Sequence, residues 1–139
     1  MIIDVRGLPA PQGSKRHVGR GIMVESSRAV GPWREAVRAE TQREMGDLTI
    51  RGPVAVEVTV RLPRPRSHYG TGRNADLIKP SAPHFPAGRP DLDKLLRALL
   101  DGLTAGGAWA DDSQVVNLGA WKLYGAPGVL IQIKQLEER

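Results

Sequence analysis

The alternation of apolar and polar positions reads along the chain as strand, helix, strand, helix, strand, strand. MIIDVRG opens as a strand that Gly7 and Pro9 end. In the basic, glycine-rich stretch APQGSKRHVGRGIMVE, Arg20-Gly21 is the predicted turn of a short hairpin. Pro32 suits the first turn of a helix running from about Trp33 to Met45. Trp33, Ala36, Val37 and Met45 face inward there, and Arg34, Glu35, Arg38 and Glu44 face water. Gly52-Pro53 then breaks the chain before VAVEVTVRL. Its valines at 54, 56, 58 and 60 alternate with Ala55, Glu57, Thr59 and Arg61, the period of a half-buried strand.

The second helix lies in RPDLDKLLRALLDGL. At 100° per residue, Leu92, Leu95, Leu96, Leu99, Leu100 and Leu103 occupy an arc about 140° wide. Asp93, Arg97 and Asp101 share the opposite side, and Gly106-Gly107 ends the helix. SQVVNLGAWKLY and PGVLIQIKQL read as two strands of a hairpin that turns at Gly125-Ala126-Pro127-Gly128. There is no internal repeat. The expectation is a single α+β domain over residues 1–139, two-layered, with a mixed sheet of about four strands and both helices on one face.

Between the strand ending near Leu62 and the second helix lies a long predicted loop, residues 63–88. Residues 63–90 carry six prolines and three glycines, and a loop of that length in a compact domain is commonly functional. Charge strengthens that reading. The chain carries a net charge of +5, and over residues 61–90 Arg61, Arg64, Arg66, Arg73, Lys79 and Arg89 face a single acid, Asp76. A polyanion is therefore the expected partner. The loop residues Arg64, Arg66, Arg73, Lys79 and Arg89, with Lys15 and Arg16 of the hairpin, are the candidate contacts to backbone phosphates.

Other chemistry is narrowed by what the sequence lacks. Without cysteine there is no disulfide, zinc–thiolate site or thiol nucleophile. His17, His68 and His84 are scattered and lack zinc-ligand spacing. Neither a G-x-S-x-G elbow nor a Walker or dinucleotide fingerprint occurs, so no nucleotide cofactor is expected. Trp33, Trp109 and Trp121 read as core or interface residues. No apolar run reaches the ~18 residues of a membrane span and the N-terminus lacks a signal pattern, so a cytoplasmic location away from membranes is expected.

The acids admit two explanations. Asp91 and Asp93 sit where an N-cap and a first-turn acid complement the helix dipole, and Asp93 with Arg97 has the spacing of a surface ion pair. Asp111-Asp112-Ser113 suits a polar turn. Alternatively, a short glycine-rich return would bring Asp112 toward the start of the helix. Converging carboxylates would then hold a hard cation such as Mg²⁺ or Mn²⁺.

The run RPDLDKLLRALLDGLTAGGAWADDSQVV resembles the core motif of the RusA family of Holliday junction resolvases. That family shows D-L-D at a helix start, a basic residue four positions after the second Asp, and a later W-x-D-D-x-Q-V-V. The N-terminal P-A-P-Q-G-S and the W-R of the first helix are similar to remote, phage-encoded members. The resemblance implies that Asp91, Asp93 and Asp112 are metal-binding carboxylates with Asp111 as an accessory acid, and that the metal is Mg²⁺, with Mn²⁺ a substitute. The family's catalytic lysine maps onto Arg97, a departure that preserves charge but not proton transfer, and Lys94 is placed to share its task. The resemblance further implies paired nicks across a four-way DNA junction by a homodimer. The competing expectation is a non-catalytic DNA- or RNA-binding protein that uses the same loop.

Overall fold

A computed structural model describes residues 1–13, 15–17, 23–25 and 28–137, with side chains over 1–13 and 28–137. Strand β1 (Ile2–Arg6) is followed by the short pair β2 (Lys15–His17) and β3 (Met23–Glu25). Then come helix α1 (Val30–Met45), strand β4 (Val54–Leu62), helix α2 (Leu92–Ala105), and strands β5 (Val115–Tyr124) and β6 (Gly128–Gln135). The main sheet has the order β1-β6-β4-β5. β6 lies antiparallel to both β1 and β4, whereas β5 lies parallel to β4.

The α+β class, the mixed four-stranded sheet and the two helices match the expectation. The predicted hairpin of the last two strands does not. β4 lies between β5 and β6, pairing Val60 with Lys122 on one side and Val129 on the other. The Gly125–Pro127 connection therefore crosses the end of β4. Gly125 donates to the Leu62 carbonyl at 3.0 Å, and Arg61 Nε donates to the Ala126 carbonyl at 3.0 Å. A four-valine strand buries its apolar side chains best at the centre of a sheet, which is why β4 displaces the local pairing.

Burial follows the valine pattern. Val54, Val56, Val58 and Val60 of β4 are buried with Ile131 and Ile133 of β6 and Ile3 and Val5 of β1. Val30, Trp33, Val37 and Met45 of α1, and Leu95, Ala98, Leu99 and Leu103 of α2, are also buried. Leu92, Leu96 and Leu100 pack at its edge. The helices touch through two glycines: a Cβ at Gly102 would stand 2.7 Å from Val37 Cγ1, and one at Gly106 would stand 2.6 Å from Thr41 Cβ. Helix α1 begins three residues before the predicted Trp33, at Val30, which is itself buried.

Because β4 and β5 are parallel, α2 must run antiparallel to both. Its first turn therefore lies at the C-terminal ends of these strands, and its last turn lies where β5 begins. Lys122 near the end of β5 fastens the helix entrance, with Nζ donating to the Gly88 and Pro90 carbonyls at 2.8 Å each.

Candidate functional site

Asp91 stands at the N-cap position of α2 with extended backbone, yet its carboxylate accepts no cap hydrogen bond. It lies instead 3.7 Å from Lys94 Nζ, a contact between partly exposed groups. Asp93 follows in the first turn. Among the described residues, Asp93 and Arg97 form no ion pair with one another, although their spacing permits one. Asp91 thus makes no cap bond and is held, among the described residues, only by a long i,i+3 contact with Lys94, and Asp93 makes no pair with Arg97.

The loop before them is folded onto the sheet rather than loose. Two single-turn 3₁₀ segments, Arg66–His68 and Gly72–Asn74, punctuate it. A bridge joins Tyr69 to Ile78, reinforced by Lys79 N donating to the His68 carbonyl at 2.8 Å. Arg64 is the pin. Its guanidinium lies 4.4 Å from the centre of the Tyr124 ring, Nη1 donates to the Pro83 carbonyl at 2.8 Å, and His68 meets the same ring edge-on. A cleft of about 410 Å³ opens beside it, lined by Arg64, Tyr69, Ile78, His84, Leu123 and Tyr124. Arg66, Arg73, Lys79 and Arg89 are exposed on this loop. Arg64, by contrast, is half-buried and engaged with its own chain, so its first role is to hold the loop in place. Lys15 and Arg16 lie on β2, whose backbone pairs with β3 but whose side chains fall outside the described residues, as does the Arg20-Gly21 turn.

The second acidic pair is held by a separate scaffold. Trp109 is buried, its indole Nε1 donating to Thr104 Oγ1 at 2.8 Å. Gln114 Oε1 accepts from Ala110 N at 2.9 Å and Asp111 N at 3.2 Å, while Nε2 donates to the Ile50 and Gly52 carbonyls. Asp111 Oδ1 accepts from Ser113 N at 2.9 Å, which completes a capping box with Gln114. Gln114, three residues after the capping acid Asp111, carries the sequence signal of a capping box, which sets it apart from a plain polar turn. Hydrogen bonds from Ser113 hold the Asp111 carboxyl below the usual carboxylate range. Partial shielding from water, then the neighbouring Asp111 and Asp101, push the Asp112 carboxyl above it. A cleft of about 350 Å³ lies here, lined by Asp101, Thr104, Ala105, Ala110, Asp111 and Asp112.

Asp112 therefore stands beside the C-terminal half of α2. The expectation that it would approach the start of the helix is corrected by the parallel pairing of β4 and β5. A helix of 14 residues at about 1.5 Å per residue puts its two ends about 20 Å apart. Among the described residues, no group of three acids or histidines is close enough to hold a metal ion. The donor chemistry, hard carboxylate oxygens, suits Mg²⁺, but one chain does not gather Asp91, Asp93 and Asp112 into one centre.

The N-terminal segment completes the face. Gln12 N donates to the Lys94 carbonyl at 2.9 Å, and Gln12 Nε2 donates to Asp101 Oδ2 at 2.5 Å. Gly13 lies against the Arg97 guanidinium. Two of the three tryptophans, Trp33 and Trp109, are core residues as expected, whereas Trp121 is 62% exposed on β5.

An α+β domain that presents two exposed acids at a helix start, neither of them capping the helix, beside a pinned cationic loop is equipped to handle a phosphodiester backbone. The family model that matches the chain is that of the endodeoxyribonuclease RusA, and it spans residues 6–134. The chain belongs to the RusA endodeoxyribonuclease family. No curated protein matches it at a significant level.

Proposed function

We propose that this protein is a Mg²⁺-dependent, structure-selective endodeoxyribonuclease of the cytoplasm that resolves four-way DNA junctions by paired phosphodiester nicks. The observation that carries this reading is the state of Asp91 and Asp93. In a chain of this family, both stand exposed at the start of α2, Asp91 with no cap bond and only a 3.7 Å contact with Lys94, Asp93 with no pair to Arg97.

In this proposal Asp91, Asp93 and Asp112 hold the metal, with Asp111 beside them. Bound there, Mg²⁺ would lower the pKa of a coordinated water and neutralise phosphate charge. Arg97 and Lys94 offset the negative charge that builds on the reacting phosphate, the arginine as a fixed cation that donates but does not exchange protons. Arg66, Arg73, Lys79 and Arg89 contact backbone phosphates, as do Lys15 and Arg16 of the hairpin, and fix the position of the junction without reading its sequence. Arg64 supports them by holding the loop.

Two symmetric cuts require two sites, which favours a two-fold homodimer. The separation of the acids within one chain favours it as well. A two-fold axis crossing α2 near its middle would set the helix start of one protomer against the Asp111–Asp112 turn of its partner, and each metal centre would draw on both copies.

Incubation of a synthetic four-way junction with the protein and Mg²⁺ is the direct test. Symmetric nicks that disappear with EDTA are expected. A junction shifted in a gel but left intact under every divalent cation would instead show a non-catalytic DNA-binding protein.

A further inference from the structure

The P-A-P-Q-G-S segment has no part in the metal chemistry, yet its middle residues are tied to the acidic face of α2. Gln12 alone spans three places. Its backbone N–H bonds the Lys94 carbonyl in the first turn of α2 at 2.9 Å. Its side-chain Nε2 donates to Asp101 Oδ2 at 2.5 Å, two turns further along, and its Oε1 accepts from Arg34 Nη1 of α1 at 2.8 Å. A primary amide suits this position because it faces an anion on one side and a cation on the other. It offers a donor to the first and an acceptor to the second without adding charge. Glutamate would keep the bond to Arg34 but set a second carboxylate against Asp101, and lysine would repel Arg34.

The next residue carries the consequence. Gly13 has φ +122, a conformation that favours glycine, and a Cβ there would run into Arg97 Nη1, with Cδ and Cζ at 3.3 Å. The linker thus lies flush against the guanidinium, on the side of α2 shared by Asp93, Arg97 and Asp101. β2 begins at Lys15, two residues beyond.

We propose that Gln12 is a positioning residue of the cleavage site: by joining Asp101 to Arg34 it fixes the linker across α2, and so holds the Arg97 guanidinium in place on the face it shares with Asp93. The proposal rests on the nuclease reading above. A side chain at position 13 would also displace the Arg97 guanidinium from this place.

Three proteins test it: Gln12→Ala, Gln12→Glu, and Gln12→Glu combined with Asp101→Asn, in which the asparagine amide would donate to the new glutamate. Single-turnover junction cleavage with saturating enzyme, junction affinity in EDTA and the melting temperature are measured for each. Both single variants are expected to cleave at least about tenfold more slowly, the loss that a small misplacement of a catalytic group produces. Affinity should stay within about threefold, a range too small to account for that loss, and melting should be little changed. The double variant should recover most of the rate. Wild-type cleavage by Gln12→Ala, a loss that follows melting or affinity alone, or no recovery in the double variant would overturn the proposal. Hydrogen exchange of the residue-12 amide, which bonds the Lys94 carbonyl, gives a readout independent of activity. Faster exchange in Gln12→Ala, restored protection in the double variant and no cleavage by the wild type would defeat the nuclease reading but keep the positioning role. Unchanged exchange in Gln12→Ala would defeat the positioning role.

Discussion

At the scale of single residues, the informative observation is what the acids do not do. An N-cap aspartate that bonds its own helix is explained by that bond, which is worth about 1 kcal/mol. Asp91 makes no such bond, whereas Asp111 makes one to Ser113 N and belongs to a capping box. The two aspartate pairs are therefore not equivalent, although in sequence both precede a helical turn. Asp93→Asn is expected to abolish junction cleavage while binding stays equal or tightens, because a negative charge near phosphate is removed. Cleavage at the wild-type rate would refute a metal role for that carboxylate, and gel shift with cleavage on one junction reads both properties. Arg97→Lys keeps the charge and loses the planar fork. Its cleavage rate should stay within about tenfold of wild type if charge is what the site uses, and a far larger loss would show that two-pronged contact is required.

At the scale of elements, the helix pair depends on the absence of side chains. Gly102 of α2 meets Val37 of α1 at a distance no Cβ tolerates, and Gly106 does the same at Thr41. Gly102→Val should lower stability by about 1–3 kcal/mol through overpacking, seen as a lower urea midpoint with an unchanged slope. Gly31 in α1 has no atom within 4 Å of a built Cβ. Gly31→Ala should therefore be neutral or stabilising by up to about 1 kcal/mol, from helix propensity alone. The leucine stripe of α2 was legible because a 3.6-residue period names the buried face whatever lies against it. The glycines were not legible as contact points, because nothing local tells a packing glycine from a spacer. The 63–88 loop was legible as a loop from its prolines. That Arg64 would turn back onto Tyr124, about 60 residues away in sequence and so beyond any local pattern, was not.

At the scale of the whole molecule, the proposed metal centre spans two copies, because Asp112 lies at the far end of α2 from Asp91 and Asp93. Mixing Asp93→Asn protomers with Asp112→Asn protomers separates the alternatives. If each centre draws on both copies, a mixed dimer holds one centre with both lesions and one with neither, so single nicks should reappear although each variant alone is inactive. If every centre lies within one chain, each centre in the mixture keeps one lesion and no nicking returns. Junction nicking after subunit exchange is the measurement.

Legible from residue order alone were the α+β class, the two helices, the half-buried valine strand, the cationic loop and the aspartates that the RusA motif singles out. These follow from side-chain periodicity, from proline and glycine chemistry, and from a motif continuous in the chain. Tertiary structure alone decided which strands pair. Local proximity favours a hairpin between β5 and β6, but β4, apolar at every inward position, is buried more completely between them than at an edge. That exchange makes β4 and β5 parallel and α2 antiparallel to both, and it sends Asp112 to the far end of the helix from Asp91 and Asp93. Strand order is a competition among distant segments for burial and ladder hydrogen bonds, so the outcome depends on the whole sheet and is written in no single stretch of sequence.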